Sequence, residues 1–299
     1  MPANVMALGY QDNWAQILTS AFMRNALLGG TLVALAAGLI GYFIIVRSSA
    51  FAAHALAHIG FPGATGAVLV GLPVTVGLAV FCVGGALVIG ALGKRADERE
   101  VATGTVLAAA TGLGLFFSSL ATKSSSTVTN VLFGNLLAIS HQQLLTFAVA
   151  LGVIAAVVAF VYRPLLFASV NPEVAEAKGV PVRVLSVIFM ALLGLSVTMA
   201  VQAVGTLLLF ALVVTPAATA ILLTARPGAA MAVATGLAVV SVWAGLAVSA
   251  MFNVPPSFVI TTIVSVIWLV VWLVAQRNAK DRSAPAPSHG APAAGVPIH

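Results

Sequence analysis

The sequence predicts an all-α, polytopic membrane protein with about nine transmembrane helices. Of its 299 residues, 61% are hydrophobic and only 7% are charged, whereas a soluble domain carries about a quarter charged residues. The uncharged intervals are long, and one crossing of a bilayer takes about 20 apolar residues. The basic residues separate these intervals instead of forming one patch. That distribution is typical of charges that orient a protein in a lipid bilayer, and it argues against nucleic-acid binding.

The lengths of the uncharged intervals give the number of crossings. In order, they are one span between Arg24 and Arg47, two between Arg47 and Lys94 with a turn near Gly71-Leu72-Pro73, one from Val101 to Thr122, one at about Leu144 to Tyr162, two between Arg183 and Arg226, and two between Arg226 and Arg277 with a turn at Asn253-Val254-Pro255-Pro256. The count is therefore eight to nine helices, and the parity of the charged loops favours nine.

The basic residues also predict the orientation of these helices. With nine spans, Arg24 and Lys123 are the only basic residues on one side, and all the others share the opposite side. Because basic loops stay in the cytoplasm, we expect the amino terminus outside and the carboxy terminus inside. Residues 1–20 then form an extracytoplasmic segment, and residues 21–276 form the transmembrane domain. The Pro-, Ala- and Gly-rich residues 277–299 are expected to be a disordered cytoplasmic tail.

The segment from Ala121 to Gln143 does not have the character of a span. It is rich in Ser, Thr and Asn and too short to cross, so we expect an interfacial or re-entrant segment. His141 in this segment, and His289 and His299 in the tail, are interpreted as incidental and not as metal ligands.

Two histidines interrupt the apolar residues of the second predicted span. The spacing of His54 and His58 places both imidazoles on one helix face, with Cβ atoms about 6 Å apart. Two imidazoles at that distance can chelate one divalent metal ion. Pro62 lacks the N–H that would bond to the His58 carbonyl, which predicts a kink beside the pair. Each ring could instead hydrogen-bond to a neighbouring helix. Ionisable groups inside membranes are costly and usually functional, which favours a metal site or a polar path.

The chain is not expected to be an enzyme or to power transport itself. The His-x-x-x-His pattern of zinc hydrolases needs Glu directly after the first histidine, and Ala55 stands there. All seven acidic residues lie outside the predicted spans, although ion-coupled carriers usually need carboxylates at the midplane. The sequence also has no Gly-rich Lys-Ser/Thr phosphate loop. An ATP-hydrolysing partner is therefore the expected source of energy.

Two further motifs concern the coupling and movement of helices. The predicted cytoplasmic loop 163–183 contains a short helix, which serves either as a docking element or as a solvated connector. Its elements are the cap Asn171, Pro172 at the first position, the acids Glu173 and Glu176, and Gly179 at the end.

In the seventh predicted span, Val204 to Thr224, Pro216 frees the Leu212 carbonyl and should kink or break the helix. This feature suits a hinge or pathway wall, and tight packing of small residues explains it equally well.

Together these motifs resemble the membrane permease subunit of the metal-ion ABC importers, in the zinc, manganese and iron branch. The resemblance covers about Phe22 to Trp272. It rests on Arg47 followed by Phe51, His54-Ala-Leu-Ala-His58 and Pro62-Gly63, on Leu132-Phe133-Gly134-Asn135, on Asn171 to Pro181, and on Gly205-Thr-Leu-Leu with Thr215-Pro-Ala-Ala-Thr-Ala.

The resemblance implies a type II ABC importer-like bundle in the bacterial plasma membrane. It further implies a pore formed with a second copy of the chain, two cytoplasmic ATP-binding cassette subunits and an extracytoplasmic metal-binding protein. The stretch Asn171 to Pro181 looks like the coupling helix that docks on the ATPase. The family usually carries Asp and then His four residues apart, so His58 matches that pattern and His54 departs from it. Two imidazoles suit zinc better than manganese, which prefers oxygen ligands.

We therefore expect a permease subunit that imports divalent transition-metal ions. Zinc is the first candidate, with manganese or iron next, and the metal is a transported substrate rather than a permanently bound cofactor. One alternative is an ABC permease for a metal chelate such as a siderophore or cobalamin. The other is a secondary carrier, which the absence of acidic residues from the predicted spans disfavours.

Overall fold

The fold consists of helices and their connections. The structure is a computed structural model, which describes residues 14–92, 96–120, 131, 133–206 and 208–283, and no strand occurs within these ranges. The helices are α1 (Trp14–Thr19), α2 (Ala21–Val46), α3 (Ala50–Val70), α4 (Val74–Leu92), α5 (Ala96–Leu120), α6 (His141–Val170), α7 (Pro172–Ala177), α8 (Val182–Val204), α9 (Leu209–Val213), α10 (Thr215–Leu223), α11 (Pro227–Phe252) and α12 (Pro256–Ser283). A 3₁₀ turn, Leu136–Ala138, precedes α6.

The prediction of an all-α polytopic membrane protein is confirmed. Within the described residues, eight helices are long and apolar enough to cross a membrane, namely α2, α3, α4, α5, α6, α8, α11 and α12. The seventh predicted span, Val204 to Thr224, is the one that does not form a single long helix. It begins at Gly205 with φ of +83° and is interrupted again at Val214, directly before Thr215 and Pro216. Because a proline offers no N–H to the preceding turn, two short helices replace the predicted one.

Two predicted boundaries are wrong because charged residues mark where the membrane ends and not where a helix ends. Helix α6 continues through Arg163 and Pro164 to Val170, so the predicted loop begins at Asn171 and not at residue 163. Helix α12 continues to Ser283, so the first residues of the predicted disordered tail are helical. No Gly or Pro precedes Pro285 in that stretch to end the helix earlier. Residues 1–13 and 284–299 lie outside the described residues.

Small residues allow the helices to pack closely. Lipid is as apolar as the helix surfaces, so association of membrane helices depends on tight van der Waals contact. Helix α2 packs along α11, and α3 packs along both α4 and α5. At Gly63 of α3 and Gly77 of α4 the two backbones touch, since a Cβ atom on either residue would overlap the carbonyl of the other. These contacts fix the position of α3 within the bundle.

The polar segment before α6 packs against helix ends and does not cross the bundle in its described part. The Asn25 side-chain amide of α2 donates a hydrogen bond to the Ile139 carbonyl over 3.2 Å. The Thr206 backbone N–H donates to the Val131 carbonyl over 3.0 Å. Gly134, with φ of +69°, lies directly on the backbone at the carboxy-terminal end of α8, where no side chain would fit. Residues 121–130 of the predicted interfacial segment lie outside the described residues.

Candidate functional site

The two predicted histidines lie next to each other on α3. The ring centroids of His54 and His58 are 4.9 Å apart and their planes are inclined by 71°. Both side chains are half-buried, so neither is sealed in the core. In the part of the chain that the structure describes, no third His, Cys, Asp or Glu joins them to form a larger cluster. One copy of the chain therefore offers two imidazoles on one helix face.

The Nδ1 atom of His54 bears on the interpretation of the pair. This atom is buried, and among the described residues it has no hydrogen-bond partner. Buried polar atoms nearly always have a partner, and an unpaired one calls for an explanation such as a missing ion or water. If the histidine only bonded to a neighbouring helix, this nitrogen would be expected to be paired. Within the described residues, Nδ1 of His54 is therefore not used in a hydrogen bond to a neighbouring helix.

The proline after the pair does not interrupt α3. The helix runs without a break from Ala50 to Val70, with the buried Pro62 inside it. One turn further on, the hydroxyl of the buried Thr65 donates to the Phe61 carbonyl over 3.1 Å and lies 3.3 Å from the Pro62 carbonyl. The helix thus carries His54 and His58 as one continuous element, and Pro62, where a kink is predicted, does not divide it.

A third ring, which the sequence analysis missed, stands beside the pair. The centroid of Phe210, on the short helix α9, lies 6.3 Å from that of His54 at an angle of 79°. The contact joins residues far apart in the sequence, so periodicity could not reveal it. The only local signal was the position of Phe210 shortly before Pro216, in a segment predicted to be irregular.

The second predicted proline coincides with the break between α9 and α10. Pro216 is buried at the start of α10, and the last residue of α9, Val213, faces α2. A Cβ atom at Gly41 of α2 would lie only 2.7 Å from the Val213 carbonyl oxygen. The break is therefore packed against the centre of the bundle.

The predicted capped helix is present as α7. The Asn171 side-chain oxygen accepts a hydrogen bond from the Val174 N–H over 3.2 Å, and Gly179 follows the helix with φ of +79°. Ala175 is fully buried against the bundle, whereas Glu173 and Glu176 are exposed. The helix is thus anchored on one side and presents two carboxylates on the other.

Arg47 connects the helices on either side of α7. Its Nη1 atom donates to the Ser169 hydroxyl of α6 over 3.2 Å. Its guanidinium carbon lies 5.2 Å from the centroid of the Phe189 ring of α8, a distance at which a cation and an aromatic face attract each other. Arg47 also ends α2, three residues before α3 begins at Ala50. One side chain therefore joins the segment around α7 to the helix that carries the histidines.

A pocket of about 240 Å³ with some polar lining lies at the other end of α8, and it is separate from the histidine pair. The residues that line it come from α4, α8, the segment before α6 and the start of α6; they are Val74, Thr75, Leu78, Val131, Asn135, Ala138, Gln143, Val201 and Gln202. The Thr75 hydroxyl donates to the Gln202 side-chain oxygen over 2.9 Å, and the Gln202 amide donates to the Thr198 carbonyl over 3.0 Å. Neither histidine lines this pocket.

Comparison with known proteins identifies the family. A family model described as the ABC 3 transport family matches residues 19–275. The chain is 34% identical over 264 residues to the manganese transport system membrane protein MntC of Listeria innocua, covering 88% of this chain and 94% of that protein. It is 29% identical over 265 residues to the manganese import system permease protein ScaB of Streptococcus parasanguinis, covering 88% and 94%.

Solved structures share the fold. The chain matches PsaBC from Streptococcus pneumoniae in complex with Fab with a TM-score of 0.80 and 27% identity, covering 91% of this chain and 99% of that one. It matches an inward-facing putative metal-chelate type ABC transporter with a TM-score of 0.66 and 17% identity, covering 90% and 91%. The latter likeness concerns the fold alone.

Proposed function

This chain belongs to the ABC 3 transport family and is a metal-ion ABC importer permease subunit, and we propose that its cargo is a divalent transition metal, zinc ahead of manganese or iron. The observation that carries the proposal is the adjacent pair His54 and His58 with its unpaired, buried Nδ1 atom. Imidazole nitrogens are preferred ligands of zinc and its neighbours, whereas manganese favours oxygen. The relatives MntC and ScaB are named as manganese transport and import proteins, which supports manganese as the second candidate.

In this proposal two copies of the chain form the pathway in the bacterial plasma membrane. The amino terminus lies outside and the carboxy terminus in the cytoplasm. An extracytoplasmic metal-binding protein delivers the ion, and His54 and His58 of each copy hold it transiently. Two imidazoles per copy, without a cluster of further ligands in the described residues, suit an ion that must be released again.

Energy comes from two cytoplasmic ATP-binding cassette subunits that dock on α7. Asn171 and Gly179 fix the two ends of α7, and Glu173 and Glu176 face the docked subunit. Movement of α7 reaches α3 through its flanking helices and Arg47, which contacts both of them. The break at Val214 and Pro216 allows the segment beside the site to change its angle when the pathway switches from outward to inward.

The test is zinc uptake into vesicles that contain the complete importer. Replacing both His54 and His58 by Ala should abolish uptake while the complex still assembles and the ATPase subunits remain bound. The matched control is His141→Ala, which removes an exposed imidazole outside the site. Zinc uptake at an unchanged rate in the double variant would overturn the assignment of the pair.

A permease for a metal chelate would share this fold. Stimulation of the ATPase by the binding protein loaded with bare Zn²⁺, without any organic chelator, separates the two functions. Transport by the purified chain alone under an ion gradient would instead indicate a secondary carrier.

A further inference from the structure

Phe210 belongs to a short helical segment whose two ends leave the regular helix. Helix α9 has five residues; four residues earlier lies Gly205 with φ of +83°, and Val214 follows α9 as a break. Leu209 and Leu212 on this helix are buried at 0% and 1% exposure. Phe210 is 42% exposed, so its ring stands out from the packed side of the helix. Two leucines therefore anchor the segment and leave the phenyl ring facing open space.

That open space is next to the metal-binding pair. The Phe210 ring lies edge to face with the His54 ring at 6.3 Å, and the His58 ring follows at 4.9 Å from His54. Among the described residues, these two rings are the aromatic partners of His54. A phenyl ring offers no lone pair to a metal ion. It also excludes water from the side of the imidazole that it covers.

Excluding water favours some metal ions over others. Zinc is satisfied by about four ligands and binds nitrogen well. Manganese is typically octahedral and takes six oxygen ligands, many of them water. An ion held by His54 beside an apolar ring has less room for bound water, and this restriction costs a six-coordinate ion more than a four-coordinate one.

Building on the proposed function, we propose that Phe210 is a specificity-determining residue of the metal pathway. Its ring removes water from the coordination sphere of an ion at His54 and so selects four-coordinate ions such as Zn²⁺ against six-coordinate ions such as Mn²⁺. The residue acts by occupying space and not as a ligand.

The first experiment compares Phe210→Ala with Phe210→Leu in vesicles that contain the complete importer. The extracytoplasmic binding protein is supplied loaded with either zinc or manganese, so that the ratio of uptake rates reports the metal preference of the permease. Phe210→Ala should raise the ratio of manganese to zinc uptake about tenfold, which corresponds to about 1.4 kcal/mol of discrimination. Phe210→Leu, which keeps an apolar side chain in place, should stay near the wild-type ratio.

The matched control is Phe160→Ala, which removes a phenyl ring that is 89% exposed on α6. Its uptake ratio should equal that of the wild type. An unchanged ratio in Phe210→Ala, or the same increase in Phe160→Ala, would overturn the role of Phe210.

A second measurement does not depend on transport. Co²⁺ can replace zinc as a probe, and its visible absorption is intense in four-coordinate sites and weak in six-coordinate ones. In the detergent-purified complex, Phe210→Ala should weaken this band relative to the wild type, and Phe160→Ala should leave it unchanged. An equally intense band in Phe210→Ala overturns this inference alone. If the wild type neither binds Co²⁺ nor carries zinc or manganese, the proposed function falls as well.

Discussion

Gly41 on α2 faces the Val213 carbonyl at the break between α9 and α10, so closely that a Cβ atom at position 41 would lie 2.7 Å from that oxygen. The same atom would lie 2.9 Å from the Cβ of Ala217. Real Cβ atoms do not approach other atoms so closely, hence the absence of a side chain on α2 determines where the interrupted segment rests. This contact places α9, and with it Phe210, beside His54.

We expect Gly41→Ala to destabilise the bundle. The added methyl group must push the backbone of Val213 away from α2, and overpacking of this kind costs about 1–3 kcal/mol. The measurement is the thermal unfolding midpoint of the purified complex, which should fall.

Gly152→Ala is the control for the preceding substitution. A Cβ atom at Gly152 of α6 would meet nothing within 4 Å, so this variant should unfold at or slightly above the wild-type temperature. Equal midpoints for both variants would show that the contact between Gly41 and Val213 does not restrict the bundle.

A single substitution at the histidine pair should change the preferred metal. His54→Asp replaces one imidazole by a carboxylate, the ligand type that manganese favours. We expect the ratio of manganese to zinc uptake to rise about tenfold, an effect of about 1.4 kcal/mol.

The same substitution at an exposed histidine, His141→Asp, tests whether added negative charge alone changes the ratio. It should leave the ratio unchanged. The ligand assignment of His54 would be wrong if His54→Asp and the wild type discriminated equally between the two metals.

Charge reversal on α7 should separate ATP hydrolysis from transport. Glu176 is exposed near the end of this helix, and a lysine there would face any cationic group of a docked subunit, a repulsion that costs several kcal/mol in an interface. In Glu176→Lys, the number of ions carried per ATP hydrolysed should fall, while the fold of the chain persists.

Glu100→Lys makes the same charge reversal at an exposed position on α5, outside the proposed docking helix α7. Its coupling ratio should remain that of the wild type. A normal ratio in Glu176→Lys would remove α7 as the coupling element.

Most of the helices could be predicted from the sequence because a bilayer restricts both the length of an apolar span and the side on which basic residues lie. The features of the helices that could not be predicted from the sequence also have physical reasons. Helix α6 passes the exposed Arg163 without a break, since a long basic side chain can reach water without ending the helix that carries it. The segment after Gly205 had the length and composition of a span, and only Pro216 indicated that it would not form one helix.

In the candidate site, too, local contacts could be predicted from the sequence and contacts between distant segments could not. The adjacency of His54 and His58 follows from helical periodicity alone and is observed. The cap at Asn171 is equally local and is also observed. The ring of Phe210 and the guanidinium of Arg47 reach their partners through tertiary packing between distant segments. No local pattern encodes such contacts, so they required the structure.

The contact between Gly63 and Gly77 has a mechanical consequence. With no side chain on either residue, the two helices meet backbone to backbone and interlock, and sliding one along the other would drive carbonyl groups into each other. The hairpin formed by α3 and α4 must therefore move as one rigid body. His58 lies little more than one helical turn from Gly63, so any conformational change that displaces His58 has to move α3 and α4 together.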